Sequence, residues 1–284
     1  MASDLDKLLN FLEVERIDKY LFIGQSPKRP SRVFGGQVLA QSLNAALRTV
    51  DEDRIAHSMH AYFLRPGNPA KQIVYEVDPI RDGRSFTTRR VVAKQDGRAI
   101  FNTSVSFQIV EQGLDHQIDM PIVTPPEALQ SDHDFWCEMA QKHPDKFEAP
   151  TVEPIERITL DRRDYLDPQP KEPAQNVWFR ALGDLGDDRA RHQTLLAYMS
   201  DHALLGTALC PHPYTGHSSG MQMASLDHAL WFHRDFRADE YLLYTMDSPS
   251  AAGNRGFSRG SFYNTQGMLI ASAAQESLLR PIAD

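Results

Sequence analysis

The chain has 284 residues, 41% of them hydrophobic and 24% charged, enough apolar content to bury a full core in one large domain or two of ordinary size. Its net charge of −8 argues against a nucleic-acid partner, because phosphate binding needs a concentrated basic surface. Cys137 and Cys210 are too few and too distant for a disulfide framework or a zinc site, and no apolar run approaches the ~18 residues that would span a membrane.

Residues 1–12 read as an amphipathic helix with Leu5, Leu8, Leu9 and Leu12 on one face, and carry no signal-peptide pattern. The chain ends Pro281-Ile282-Ala283-Asp284, without a peroxisomal Ser-Lys-Leu type address, so the expectation is a cytoplasmic protein. Val38, Leu39, Leu43, Ala46 and Leu47, spaced by three and four, predict a helix over 35–48. Alternating runs predict strands at about 55–65, 72–80, 84–95 and 98–110. Pro121, Pro125, Pro126, Pro144, Pro150 and Pro154 then mark a linker over 112–154, with one short helix near 135–142. A second leucine stripe (Leu195, Leu196, Leu204, Leu205) predicts a helix over 189–209, and strand-like runs follow at about 221–233, 240–247, 254–265 and 268–279.

These elements form an internal repeat. Tyr62-Phe63-Leu64-Arg65 recurs as Trp231-Phe232-His233-Arg234, 169 positions later. Gln95-Asp96-Gly97, a tight hairpin turn, recurs as Thr265-Gln266-Gly267 at an offset of 170. A helix followed by an antiparallel meander, twice, predicts an α+β protein of two like domains, 1–111 and 155–284, joined by the linker at 112–154. The basic pairs Arg89-Arg90 and Arg162-Arg163 are expected to be solvated strand faces.

The segment from His57 to Gly67 (His-Ser-Met-His-Ala-Tyr-Phe-Leu-Arg-Pro-Gly) resembles a signature of the type II acyl-CoA thioesterases. Phe34-Gly35-Gly36-Gln37 and the run from Asp227 to Arg234 resemble the same family, and the likeness extends over nearly the whole chain. The resemblance implies a double hot-dog fold, two long helices each wrapped by a curved antiparallel sheet. It also implies hydrolysis of fatty acyl-CoA to fatty acid and CoA, with no metal and no organic cofactor. The family's catalytic Asp, Ser or Thr, and Gln fall on Asp201, Ser225 and Gln275, where Thr is frequent at the middle position. Hot-dog sheets usually pair, so a homo-oligomer, dimer or tetramer, is expected.

The repeat bears on that assignment without the family. Under the two offsets Ser225 corresponds to Ala56 and Gln275 to Val105, whose strand face also holds Phe101, Thr103 and Phe107. An amide thus stands where its twin has a valine, and a buried amide needs partners that Ser225 and Asp201 can supply. Asp201 would serve as base or strong acceptor for a water that Ser225 and Gln275 fix, and amides at a helix start would stabilise the oxyanion. Ser225 is not expected to be a covalent nucleophile, since no histidine base is implied beside it.

Other patterns are discounted. Gly216-His217-Ser218-Ser219-Gly220 matches a nucleophile elbow, but prolines precede it and a strand follows, so a loop is expected. His192, His202, His212 and His217 have spacings that fit no usual metal motif, and are expected on the surface or in loops. Two rival readings remain open: a hot-dog enoyl-CoA hydratase using Asp201 with His202, disfavoured because helix neighbours point about 100° apart, and a non-catalytic acyl-CoA sensor.

Overall fold

Strands with one apolar face must bury that face, and here nearly all of them do so in one sheet wrapped around two long helices. The structure is a computed structural model that describes residues 3–27, 32–218 and 220–282. Met1 and Ala2 of the expected first helix, Ser219 and the terminal Ala283-Asp284 lie outside the described residues.

In the first half α1 (Asp4–Leu12) is capped by Ser3 and anchored by the buried Leu5 and Leu12. It leads into β1 (Glu15–Asp18), β2 (Leu21–Gly24), the long helix α2 (Gly35–Leu47) and the strands β3 (Ile55–Phe63), β4 (Ile73–Asp82), β5 (Phe86–Gln95) and β6 (Arg98–Gln108). The stretch 112–154 carries α3 (Asp132–Lys142), whose buried Asp132 accepts hydrogen bonds from the Thr159 backbone and hydroxyl, both at 2.8 Å, and pairs with Arg162. In the second half come β7 (Ile155–Thr159), β8 (Ala174–Ala181), α4 (Arg189–Ser200), α5 (Leu204–Leu209), β9 (Met221–Ser225), β10 (Asp227–Phe232), β11 (Leu242–Ala252), β12 (Arg255–Asn264) and β13 (Leu269–Pro281).

The strand order is β1-β2-β4-β5-β6-β3-β10-β13-β12-β11-β8-β7, with β9 added on β13. Read outward from the β3–β10 seam, the two halves have the same order, and α2 packs against α4. Across the seam His60 pairs with Ala229, its own equivalent under the 169-residue offset, so a pseudo-twofold axis passes through that pair. The fold is a double hot-dog of the α+β class.

Several expectations are corrected. Strands β1, β2, β7 and β8 were not foreseen: β1 is exposed throughout and shows no alternation, and β2 and β7 are only four and five residues long. The helix expected over 189–209 breaks at Asp201–Ala203, where Ala203 adopts φ 73°, and the strand expected over 221–233 breaks at Leu226. The first half has a register shift between Ala56 and Ser58, around His57, the equivalent of Leu226.

Among the basic pairs only Arg90 lies on a solvated face. Arg89 is 3% exposed, bound to Asp82, Thr49 and backbone carbonyls. Arg162 and Arg163 tie loops down, Arg163 through four carbonyl groups. A long guanidinium can be buried where carbonyls converge, which local charge density does not reveal. His192 is likewise a core residue, not a surface one, holding Gly186 O and Ala238 N between its ring nitrogens.

Candidate active site

Helix α4 ends at Ser200, and Asp201 is its C-cap with φ −80° and ψ −8°. The left-handed turn at Ala203 then starts α5 on a new axis, so Asp201 stands at a helix break rather than within a helix as expected. Its carboxylate meets the start of α2 from the other half. The N-cap of α2, Phe34, supplies no side-chain cap, and the Gly36 backbone N–H donates to Asp201 instead. A carboxylate from one half therefore satisfies an orphan donor of the other half's helix, where the dipole favours negative charge.

That approach requires glycine twice. A Cβ on Gly35 would lie 2.6 Å from Asp201 Oδ2, and one on Gly36 would lie 2.4 Å from the Tyr198 carbonyl oxygen. Asp201 keeps some exposure, but burial pushes its pKa up to about 7, against the opposing pull of the Ser225 hydroxyl, the Gly36 N–H and the Arg32 charge.

Ser225 closes β9 opposite Ser277 and donates to Asp201 Oδ1 at 3.1 Å. At the break after it, the Leu226 N–H donates to the Glu276 carbonyl, and the Leu226 carbonyl accepts from the Phe63 N–H. Gln275, 1% exposed in the middle of β13, donates from Nε2 to Ser225 Oγ and Ser277 Oγ, each at 3.1 Å. Its Oε1 lies 2.8 Å from His228 Nδ1, and His228 Nε2 lies 2.9 Å from Ser200 Oγ. The three residues singled out from the sequence thus form one hydrogen-bonded row, Asp201–Ser225–Gln275. The row continues into a buried His228 and Ser200 that were not singled out as site residues.

Asp201 and Ser225 lie on the wall of a cleft of about 470 Å³ at the seam between the halves, and Gln275 lies behind Ser225. Phe34, Val38, Phe63 and Arg65 of the first half face Leu205 of the second across it. Sequence reasoning drew the site from the second half alone. The signal for the rest was the Gly35-Gly36 pair at a helix start, where adjacent glycines cost helix stability unless something must come close.

The equivalent positions in the first half are apolar: Ala56 and Val105 stand where Ser225 and Gln275 would be, and Arg89, opposite Val105 as Ser258 is opposite Gln275, turns its guanidinium to Thr49. Gly216, His217 and Ser218 of the elbow-like segment lie outside any helix or strand, after α5 and before β9, the reverse of the strand-then-helix order an elbow needs. The His202 ring packs on Phe34 at 4.6 Å, with Nδ1 3.5 Å from Arg157 Nη1.

Residues 160–278 match the family described as acyl-CoA thioesterase, and residues 25–108 match the acyl-CoA thioesterase N-terminal domain. The chain is 39% identical to acyl-CoA thioesterase 2 of Haemophilus influenzae, over 99% of each chain. It is also 39% identical to acyl-coenzyme A thioesterase 8 of Homo sapiens, over 95% of this chain and 87% of the relative. A solved acyl-CoA thioesterase II from Mycobacterium marinum superposes with a TM-score of 0.80 at 39% identity, covering 96% of this chain and 98% of the other. A protein of unknown function with a hot dog fold from Alicyclobacillus acidocaldarius shares the architecture at 18% identity, with a TM-score of 0.77 and full coverage of both chains. With the double sheet and this degree of identity over nearly its whole length, the chain belongs to the type II acyl-CoA thioesterase family, a group of thioester hydrolases.

Proposed function

We propose that this enzyme hydrolyses fatty acyl-CoA by direct attack of a water held by Asp201, Ser225 and Gln275. The observation that carries the reading is the row of hydrogen bonds that begins at a carboxylate on the cleft wall and runs into the core. Asp201 takes the proton of the water; a carboxylate raised to about 7 is a far better base near neutrality than one at 3.8. Ser225, donating to Asp201, keeps an oxygen lone pair toward the water, and Gln275 holds Ser225 from behind. The start of α2, where Phe34 gives no side-chain cap and Gly35 lines the cleft beside the Gly36 N–H that Asp201 takes, suits the oxyanion that develops on the thioester oxygen. The thiolate of CoA then leaves, and the proton held on Asp201 returns to bulk water.

The test is release of free CoA, read with a thiol reagent on a panel of short to long acyl-CoA substrates, for the native protein and for Asp201→Asn. Expected are turnover by the native protein and a kcat about 10²–10⁴-fold lower for the variant. Unchanged turnover would remove Asp201 from the mechanism, and conversion of an added enoyl-CoA to its hydroxyacyl-CoA without release of CoA would point to hydration instead.

We also take residues 1–111 and 155–284 as the two modules and 112–154 as the strap between them. Among the described residues no helix is long and apolar enough to cross a membrane. A cytoplasmic homo-oligomer, dimer or tetramer, is the assembly we propose; cell fractionation and light scattering on the purified chain test both points.

A further inference from the structure

We infer that His228 is a positioning residue: with Ser200 behind it, the imidazole sets which way the Gln275 amide faces and thereby makes Ser225 donate to Asp201. The inference rests on the proposed roles of Asp201, Ser225 and Gln275. Its starting point is that each group in the row has a limited choice of donor and acceptor. An ionised Asp201 only accepts, so the Ser225 O–H, 3.1 Å away, donates to it. Having spent its single proton, Ser225 Oγ must accept from Gln275, which therefore presents Nε2 and not Oε1. That turns Oε1 toward His228 Nδ1 at 2.8 Å, and an amide oxygen only accepts, so Nδ1 carries the proton. His228 is neutral, because burial holds its pKa down at about 4, so Nε2 is bare and accepts from Ser200 Oγ at 2.9 Å. The Ser200 hydroxyl, also 2.9 Å from the Ala197 carbonyl oxygen, turns to the ring. All four bonds then run in one direction, ending on the carboxylate.

Read backward, the row acts on the site. A ring protonated at Nε2 instead would offer Gln275 an acceptor, flip its amide, and set Oε1 against Ser225, drawing the hydroxyl proton away from Asp201. The comparison of halves argues that the fold itself needs none of this. Under the 169 and 170 offsets His228, Gln275 and Ser225 correspond to Met59, Val105 and Ala56, all buried and apolar. Apolar residues therefore fill these positions of a hot-dog half, whereas burying imidazole and amide is unfavourable unless every group is matched.

Two measurements test the assignment. The imidazole ¹⁵N shifts of His228 in the full-length protein should show the Nδ1–H tautomer at pH 8.5, where Asp201 is ionised, and an Nε2–H tautomer would overturn the proposal. In kinetics with a saturating acyl-CoA, Gln275→Ala and His228→Ala should each lower kcat by about 10–100-fold, the usual cost of losing a group that orients another. KM should stay within about threefold. The double variant should be no more than about threefold worse than the poorer single one, because the imidazole acts only through the amide. Multiplicative losses would mean His228 serves packing alone and would overturn the proposal. His228→Asn, which keeps an N–H near the Nδ1 position, should recover about a tenth or more of the native kcat; a value no better than His228→Ala overturns it. Should His228→Ala not fold, Ser200→Ala leaves the packing nearly intact and should still lower kcat several-fold, and no change would count against the row. Native turnover in Gln275→Ala would instead sink the reading of the trio itself.

Discussion

Asp201 couples activity and stability to pH with opposite sign. As a base it works when ionised, so kcat/KM is expected to rise with pH through about 7 and level off above it. A profile flat from pH 5.5 to 8.5 would contradict the role. For stability, the folded-state pKa is raised from 3.8, so the native state binds the proton more tightly than the unfolded chain does. The stabilising contribution is full below about 4 and is lost as pH rises through about 7. Asp201→Asn removes that loss, and its Tm relative to the native protein should climb between pH 5 and pH 8, by the equivalent of a few kcal/mol at most. A Tm difference independent of pH would show that burial does not hold this carboxyl up.

The decisive element is the start of α2 against the end of α4. Gly36→Ala would push a methyl into the Tyr198 carbonyl and the Phe34 ring, so the two helices must separate. About 1–3 kcal/mol of stability should be lost, measurable by urea unfolding, with kcat falling as Asp201 loses the Gly36 N–H. Gly206→Ala, in open space and on α5 close by, should do neither. The break of the second-half strand at Leu226 has a counterpart around His57, so it belongs to the hot-dog architecture and was adapted, rather than introduced, to aim Ser225.

The whole molecule is built as two equivalents and used as one site. Both halves present a helix and a curved sheet, yet only the second places polar groups at these positions, Ser225 on the cleft wall and His228 and Gln275 buried behind it, while the first lends the glycines and one cleft wall. Ala56→Ser combined with Val105→Gln should therefore add no turnover in an otherwise intact chain, because Arg89, held by Thr49 and Asp82, lies opposite Val105 where the second half has Ser258. A clear gain would mean the first half retains a competent site. Residues 155–284 expressed alone should be inactive and prone to aggregate, since they lack Gly36 and leave β10 as an open edge where β3 belongs. Soluble, active material would refute that.

The repeat, the alternation of the long strands and the leucine stripes are local or periodic properties, so the chain alone specifies two α+β halves and marks Ser225 and Gln275 as polar where their repeat equivalents are apolar, whereas Asp201 follows only from the family resemblance. Short and edge strands such as Glu15–Asp18 left no such trace, because pairing partners rather than composition hold them. Nor could the chain disclose that Asp201 sits at a helix break capped against Gly36, or that His228 lies behind Gln275. Those are contacts between residues tens to more than a hundred positions apart, made only when α4 meets α2 and β10 meets β13. Burial, which raises the carboxyl and lowers the imidazole, exists only in that packed state.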